Sequence, residues 1–150
     1  MEIEDLKTNI SAFYPTATFE DGEWLTIFID AKDWKKFALQ LRTTSGLDFD
    51  YLFCLTCVDW KTHLTMVFHL SSTLHRHSIV VKSILDRTNP EIETVCDIWR
   101  TAELLEREVF DLFGVIFLNH PDLRRLLLTD DWVGYPLRKD YDDPINMIKL

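Results

Sequence analysis

The chain has 150 residues, with 16 Lys and Arg against 25 Asp and Glu and a formal charge of -9. That length fits one domain around one core, and the charge excludes nonspecific nucleic-acid binding, which needs surplus cations to displace phosphate counterions. No apolar run approaches the roughly 20 residues of a membrane helix, so any membrane link is expected to go through a partner.

The first residues, MEIEDLKTNI, are acidic and polar. They resemble neither a secretory signal nor an Arg-rich transit peptide, and the expected compartment is the cytoplasm of a bacterium or archaeon. The three cysteines, Cys54, Cys57 and Cys96, are an odd number. That suits a reducing compartment rather than a disulfide framework. Three thiolates also fall short of the four that most iron–sulfur clusters use.

In chain order, residues 2–13 read as a short amphipathic helix stopped by Pro15. In TATFEDGEWLTIFID, Asp21-Gly22 predicts a two-residue hairpin turn in which Gly supplies a positive φ. Asp30 then caps a helix with Asp33 at the capping-box position. Trp34, Phe37, Ala38 and Leu41 form its apolar stripe, and Gly46 ends it. YLFCLTCVDW, LTMVFHLSS and HSIVVKSIL predict three strands joined by short connections, hence an antiparallel meander. DRTNPEIE reads as a loop. Residues 94–113 predict the longest helix, with Val95, Ile98, Trp99, Ala102, Leu105, Val109, Phe110 and Phe113 at helical spacing and Gly114 as its stop. Two of the four glycines and three of the five prolines follow Phe113. The expected fold is α+β: a two-layer body over residues 1–117, with helices packed on a mixed, mainly antiparallel sheet. An extended, irregular C-terminal arm, residues 118–150, belongs to the same structural unit.

Candidate chemistry is sparse. Cys54-Leu55-Thr56-Cys57 is a CxxC, the spacing of dithiol and zinc sites. Its flanks are strand-like, however, and strand positions i and i+3 point to opposite faces. His75 and His77 share a strand face and could chelate a metal, without a third ligand nearby. No phosphate-binding glycine motif or nucleophile elbow occurs. Glu103, Arg107 and Asp111 fall on one helix face, where Arg107 can pair with both carboxylates, and Glu106 and Glu108 flank that stripe. Such a face is a solvated row of ion pairs, a structural tie to the arm or another chain, or a site for acid/base work. The last wants a raised carboxylate pKa, which a neighbouring Arg opposes.

The arm alternates Arg124, Arg125, Arg138 and Lys139 with Asp122, Asp130, Asp131, Asp140, Asp142 and Asp143. It has too little periodic apolar surface to fold alone, and must lie against its own body or a neighbouring protein. Trp132, Tyr135 and Arg138 are residue types that anchor interfaces.

The stretch EREVFDLFGVIFLNHPDLRRLLLTDDWVGYPLRKDY resembles the signature of the C-subunit family of NADH:quinone oxidoreductase, respiratory complex I, also called the 30 kDa subunit family. The residues that carry the resemblance are Glu106, Arg107, Glu108, Asp111, Gly114, Phe117, His120, Pro121, Arg125, Trp132, Gly134, Pro136, Leu137, Arg138, Lys139, Asp140 and Tyr141. With VDWKTHLTMVFHLSS and the Trp99 helix upstream, it covers roughly residues 30–144. Asn119 stands where a Gly commonly precedes His-Pro, Thr129 where a Pro commonly follows the leucines, and Glu103-Leu104-Leu105 where Asn-Trp-Leu is common.

The resemblance implies an accessory component of the hydrophilic arm of a proton-pumping enzyme, without catalytic residues of its own. Flavin, iron–sulfur clusters and quinone would belong to partner subunits. It implies packing beside the D and B subunits near the quinone site, and a peripheral place on the cytoplasmic face of the bacterial inner membrane. The signature residues would then be interface residues, with Arg138 and Lys139 paired to acidic groups of a partner or of the ERE helix, and Trp132 buried on assembly. Three rivals are the equivalent subunit of an energy-converting hydrogenase or F420H2 dehydrogenase, a stand-alone thiol-redox protein using Cys54 and Cys57, and a free-standing adaptor outside any respiratory complex.

Overall fold

The computed structural model describes residues 2–147; Met1 and residues 148–150, the outer ends of the expected body and arm, lie outside the described residues. Helix α1 (Ile3–Phe13) leads to strands β1 (Thr18–Glu20) and β2 (Leu25–Asp30), a single 3-10 turn (Ala31–Asp33) and helix α2 (Trp34–Thr43). The meander follows as β3 (Tyr51–Asp59), β4 (His63–Ser72) and β5 (His77–Asp86), then β6 (Glu91–Glu93), helix α3 (Ala102–Phe113) and β7 (Ile116–Leu118). The sheet order is β1-β2-β5-β4-β3. All neighbours are antiparallel except β2 and β5, which run parallel, so the fold is α+β with a mixed, mainly antiparallel sheet.

The three helices cover one face of this sheet. Leu6 and Ile10 of α1, Trp34, Phe37 and Leu41 of α2, and Val109 and Phe113 of α3 join one core with the inward strand positions Ile27, Met66, Phe68, Ile79 and Val81. Trp34 stacks on Phe68 at 4.0 Å between ring centroids and lies 6.3 Å from Trp99. The α2 stripe thus does what its spacing predicts.

Four local expectations are corrected. Glu20 pairs with Thr26, so the first hairpin closes through residues 21–25 rather than a two-residue turn, and Gly22 is absent from the positive-φ glycines Gly46, Gly114 and Gly134. Asp30 does cap, accepting from Lys32 N at 3.2 Å, but Asp33 completes no capping box. Its carboxylate accepts the Tyr14 hydroxyl at 3.0 Å and ties α1 to α2 instead. DRTNPEIE is not all loop, because β6 pairs parallel with β7.

The fourth correction is the largest. Helix α3 begins at Ala102, eight residues later than the apolar spacing predicts. The segment before it is held in turns by bonds to other elements: Trp99 Nε1 donates to Phe49 O at 2.9 Å and Thr101 Oγ1 to Leu52 O at 2.6 Å. The Glu106 carboxylate takes the Thr94 hydroxyl and, at 2.9 Å, the Val95 amide. Val95 and Trp99 are buried all the same. Their spacing reported burial, and tertiary hydrogen bonds overrode the helix.

Candidate functional site

Helix α3 holds the arm from both sides of its backbone. Arg107 donates through Nε to Arg124 O at 3.1 Å and through Nη2 to Arg125 O at 3.0 Å. One helical turn on, Asp111 Oδ2 accepts three successive amides, Leu126 N at 3.1 Å, Leu127 N at 2.6 Å and Leu128 N at 3.0 Å. Successive amides that converge on one oxygen form an anion nest. The i, i+4 spacing of Arg107 and Asp111 lets the cation take carbonyls and the carboxylate take amides of the same short stretch. Of the readings that the sequence left open for this stripe, the structural tie to the arm is the one found; Arg107 bonds carbonyls rather than Glu103 or Asp111.

Arg125 reaches back to complete the clamp. Its Nη1 donates to Asp111 Oδ1 at 2.9 Å and Asp111 O at 2.8 Å, and its Nη2 to Trp132 O and Gly134 O, each at 3.0 Å. Burial alone would raise the Asp111 pKa; the Leu128 amide, Arg125 and the other two amides outweigh it and hold the carboxyl below its usual range. Tyr135 lies between two guanidinium groups, those of Arg125 and Arg138, each 5.3 Å from its ring centroid. Gly114 caps α3 at φ 75. A Cβ there would sit 2.5 Å from Tyr135 Cε2, so glycine is required by both conformation and space. Gly134, at φ 86, likewise makes room for Tyr141.

Residues 137–139 of the arm are tied to the end of α3 and to the sheet. Leu137 N donates to Leu112 O at 3.1 Å, and Arg138 Nε to Phe113 O at 2.6 Å. Lys139 N donates to Asp59 Oδ2 at 2.8 Å, and its ammonium lies 5.9 Å from the Trp60 ring centroid. Asp59, 4% exposed at the end of β3, also takes Lys61 N and the Arg87 guanidinium. Burial opposes ionisation there, but Arg87 and the two amides prevail and lower its pKa to about 2. Arg87 bridges on to Asp140 at 2.9 Å. Asp59 and Arg87 were not singled out from the sequence as parts of a site. A signal existed for Asp59, which shares the inward strand phase of Leu55 and Cys57 and so needs a buried partner.

The remaining signature residues divide. Glu106 is hydrogen-bonded to the body, at Thr94 and Val95; burial pushes its pKa up to about 7, against the pull of those two bonds. His120 accepts Asp122 N on Nδ1, so its Nε2 carries the proton and donates to Glu103 O at 3.0 Å. The same Nε2 lies 3.8 Å from Glu106. Asn119, in place of the common Gly, adopts φ 62, which Asn tolerates, and its amide donates to Glu93. Glu108 and Pro136 are half-buried, and Pro121 is exposed. Trp132 is half-buried, with its indole nitrogen enclosed and without an acceptor among the described residues.

A bulge after Leu52 leaves Cys57 inward with Leu55 and Cys54 outward, so the two thiols face opposite sides of the sheet. Burial raises the Cys57 pKa to about 12. His75 lies in the β4–β5 turn rather than on a strand, stacked 5.5 Å from His77, and each bonds elsewhere, to Asp48 and to Leu47 O. Among the described residues no three His, Cys, Asp or Glu side chains are grouped to hold a metal, and no helix is long and apolar enough to cross a membrane.

Comparison with known proteins gives a consistent family. The NADH-quinone oxidoreductase C subunit of Chlorobium phaeobacteroides is 39% identical over 130 residues, covering 83% of this chain and 78% of that one. The C subunit of Chloroherpeton thalassium is 43% identical over 110 residues, 72% of this chain and 46% of the relative. The C/D subunit of Phocaeicola vulgatus is 48% identical over 112 residues, 73% of this chain and 22% of the relative. The chain thus spans under half the length of the last two. Among solved structures, a trypsin-resistant fragment (1-134) of Nqo5 superposes with a TM-score of 0.69 at 26% identity, covering 82% of this chain and all of that one. A chain of the membrane-bound sulfane sulfur reductase, an archaeal respiratory membrane complex, superposes with 0.80 at 28% identity, covering 93% and 85%. The profile of the respiratory-chain NADH dehydrogenase 30 kDa subunit matches residues 27–145, a span that holds both halves of the α3–arm clamp, and the chain belongs to that family.

Proposed function

We propose that this chain is the accessory C subunit of the hydrophilic arm of an NADH:quinone oxidoreductase, and that its arm is a preformed docking ledge for the D and B subunits. The observation that carries this reading is where the signature charges go. Arg107, Asp111, Arg125 and Arg138 are consumed in fixing the arm's backbone to α3. Among the side chains that the arm turns outward are large apolar ones, Leu127 66%, Val133 87% and Leu137 52% exposed, set between exposed charges such as Asp131 and Asp140. A surface ordered before binding spares the partner encounter the cost of ordering it.

The C/D relatives support the D subunit as a neighbour, since the name of that protein joins both subunits in one chain. On this reading the chain supplies no catalytic residue, holds no flavin, iron–sulfur cluster or quinone, and reaches the cytoplasmic face of the membrane only through its partners. Residues 118–150 act as the interaction arm of the 1–117 body. A second reading, the matching subunit of a related membrane-bound respiratory complex, draws on the superposition with the sulfane sulfur reductase chain; the higher identity to quinone-oxidoreductase relatives favours the first.

The test is a mild-detergent pull-down of the tagged chain from native membranes, with NADH:quinone activity of the eluate. Wild type is expected to bring down a large quinone-site protein and activity. Val133→Asp and Leu137→Asp are expected to lose both while the isolated chain stays folded. Recovery of wild type as a lone soluble chain would overturn the reading.

A further inference from the structure

The face of the sheet that no helix covers is unusual. A sheet face turned to water is normally polar at alternate positions. Here the central row across β2, β5 and β4 is Phe28, half-buried, Lys82, half-buried, and Val67, 8% exposed, in direct register. Ile84, 60% exposed, and Trp60, 56%, line one concavity with Phe28, Val67 and Lys82, while Trp24, 39% exposed, packs against Phe53 and His69. Exposed apolar residues scattered singly are ordinary, but a contiguous patch marks a contact surface.

The patch has one cation at its centre. Lys82 sits on β5, the middle strand, with its ammonium 5.6 Å from the Phe28 ring centroid. Among the described residues no carboxylate is paired with it. Asp30, on the same face, pairs with Lys32 at 3.2 Å, and Asp86 accepts from Thr88. The chain as a whole is strongly acidic, so an unpaired cation amid apolar side chains is the reverse of its general surface. The face also runs into the arm, because Trp60 at its rim carries the Lys139 ammonium over its ring.

We infer that this open sheet face is a second docking surface, occupied by a neighbouring protein of the same assembly that presents an apolar patch with one carboxylate opposite Lys82. The inference rests on the proposed function. An apolar partner excludes water, and in that setting a single opposed charge fixes register and rejects wrong partners more than it adds affinity.

The test places a photo-crosslinking residue, Ile84→p-benzoylphenylalanine, in the tagged full chain and irradiates native membranes before purification. The expected product is an adduct to another protein of the complex, within a peptide that contains Asp or Glu among apolar residues. Lys82→Glu, and more mildly Lys82→Gln, should lower the adduct roughly tenfold, while Lys82→Arg keeps it and the isolated variants melt as wild type does. An assembly that copurifies without an adduct, an adduct only to lipid or to a second copy of this chain, or an adduct indifferent to Lys82→Glu would overturn the inference. A tagged chain that recovers no quinone-oxidoreductase partner would instead overturn the proposed function, and this inference with it.

Discussion

Asp111 and Arg125 meet at 2.9 Å where α3 passes beneath the arm. The carboxylate is wholly buried and the guanidinium nearly so, and each holds backbone that the other alone would leave loose. Removing one partner of such a pair costs about 3–5 kcal/mol, because the survivor is left buried and unpaired. Asp111→Asn should therefore release the arm, while the body, whose core lies elsewhere, stays folded. Limited trypsin digestion read by mass spectrometry checks this. Cleavage after Arg124 and Arg125 should accelerate by at least about a hundredfold, as a loss of about 3–5 kcal/mol in local opening dictates. Equal rates in the two proteins would mean that Asp111 does not hold the arm.

Gly114→Ala tests the close approach of Tyr135 to the helix end. The left-handed conformation alone costs an alanine about 1–2 kcal/mol, and the added Cβ displaces the Tyr135 ring from between Arg125 and Arg138. Combining it with Tyr135→Ser removes the collision but not the backbone strain. The double variant should then melt closer to Tyr135→Ser alone than Gly114→Ala does to wild type. Strictly additive effects on the midpoint would refute a steric coupling.

Glu106 should give stability a pH dependence of known sign. Its pKa in the folded chain, about 7, lies above the ordinary 4.5, so the folded state binds the proton more tightly. The stability this contributes is complete below pH 4.5 and lost as pH rises through 7. A difference of that size is worth about 3 kcal/mol at its limit. Urea unfolding at pH 5.5 and pH 8 should show wild type losing stability over that interval, and Glu106→Gln losing less. Parallel curves would assign the dependence to other groups.

The thiols should be inert as a pair. With its pKa near 12, Cys57 holds very little thiolate at pH 8, and iodoacetamide should modify it at least about a hundredfold more slowly than a free thiol of pKa near 8.5. Mild oxidant should produce no Cys54–Cys57 disulfide, which intact mass measures directly. Its appearance would revive the dithiol reading.

Particular residues show how much was legible. The stripe Trp34, Phe37, Ala38 and Leu41, the three meander strands and the Gly114 stop follow from period and local chemistry. So does the opposite facing of Cys54 and Cys57. Residues 94–101 do not, because helical spacing of apolar residues records which side is buried and not which backbone bonds are made there. Arg107 shows the same limit within the site. Its helix face was legible, but its partners are carbonyls of Arg124 and Arg125, and no side-chain pattern encodes a carbonyl's position.

By itself the sequence determined the family, the α+β body and the identity of the charged residues that matter, since these depend on local propensity, periodicity and a contiguous signature. Only the tertiary structure decided where those charges go. Asp59 and Lys139 are joined across eighty positions, and Asp111 gathers three amides from a stretch with no period of its own. Such bonds form because buried polar groups must be satisfied, and the partner that satisfies each is fixed by how the chain returns on itself. The open face around Lys82 has the same origin. Alternation along β5 shows two faces, and only the packing of all three helices on one of them leaves the other bare.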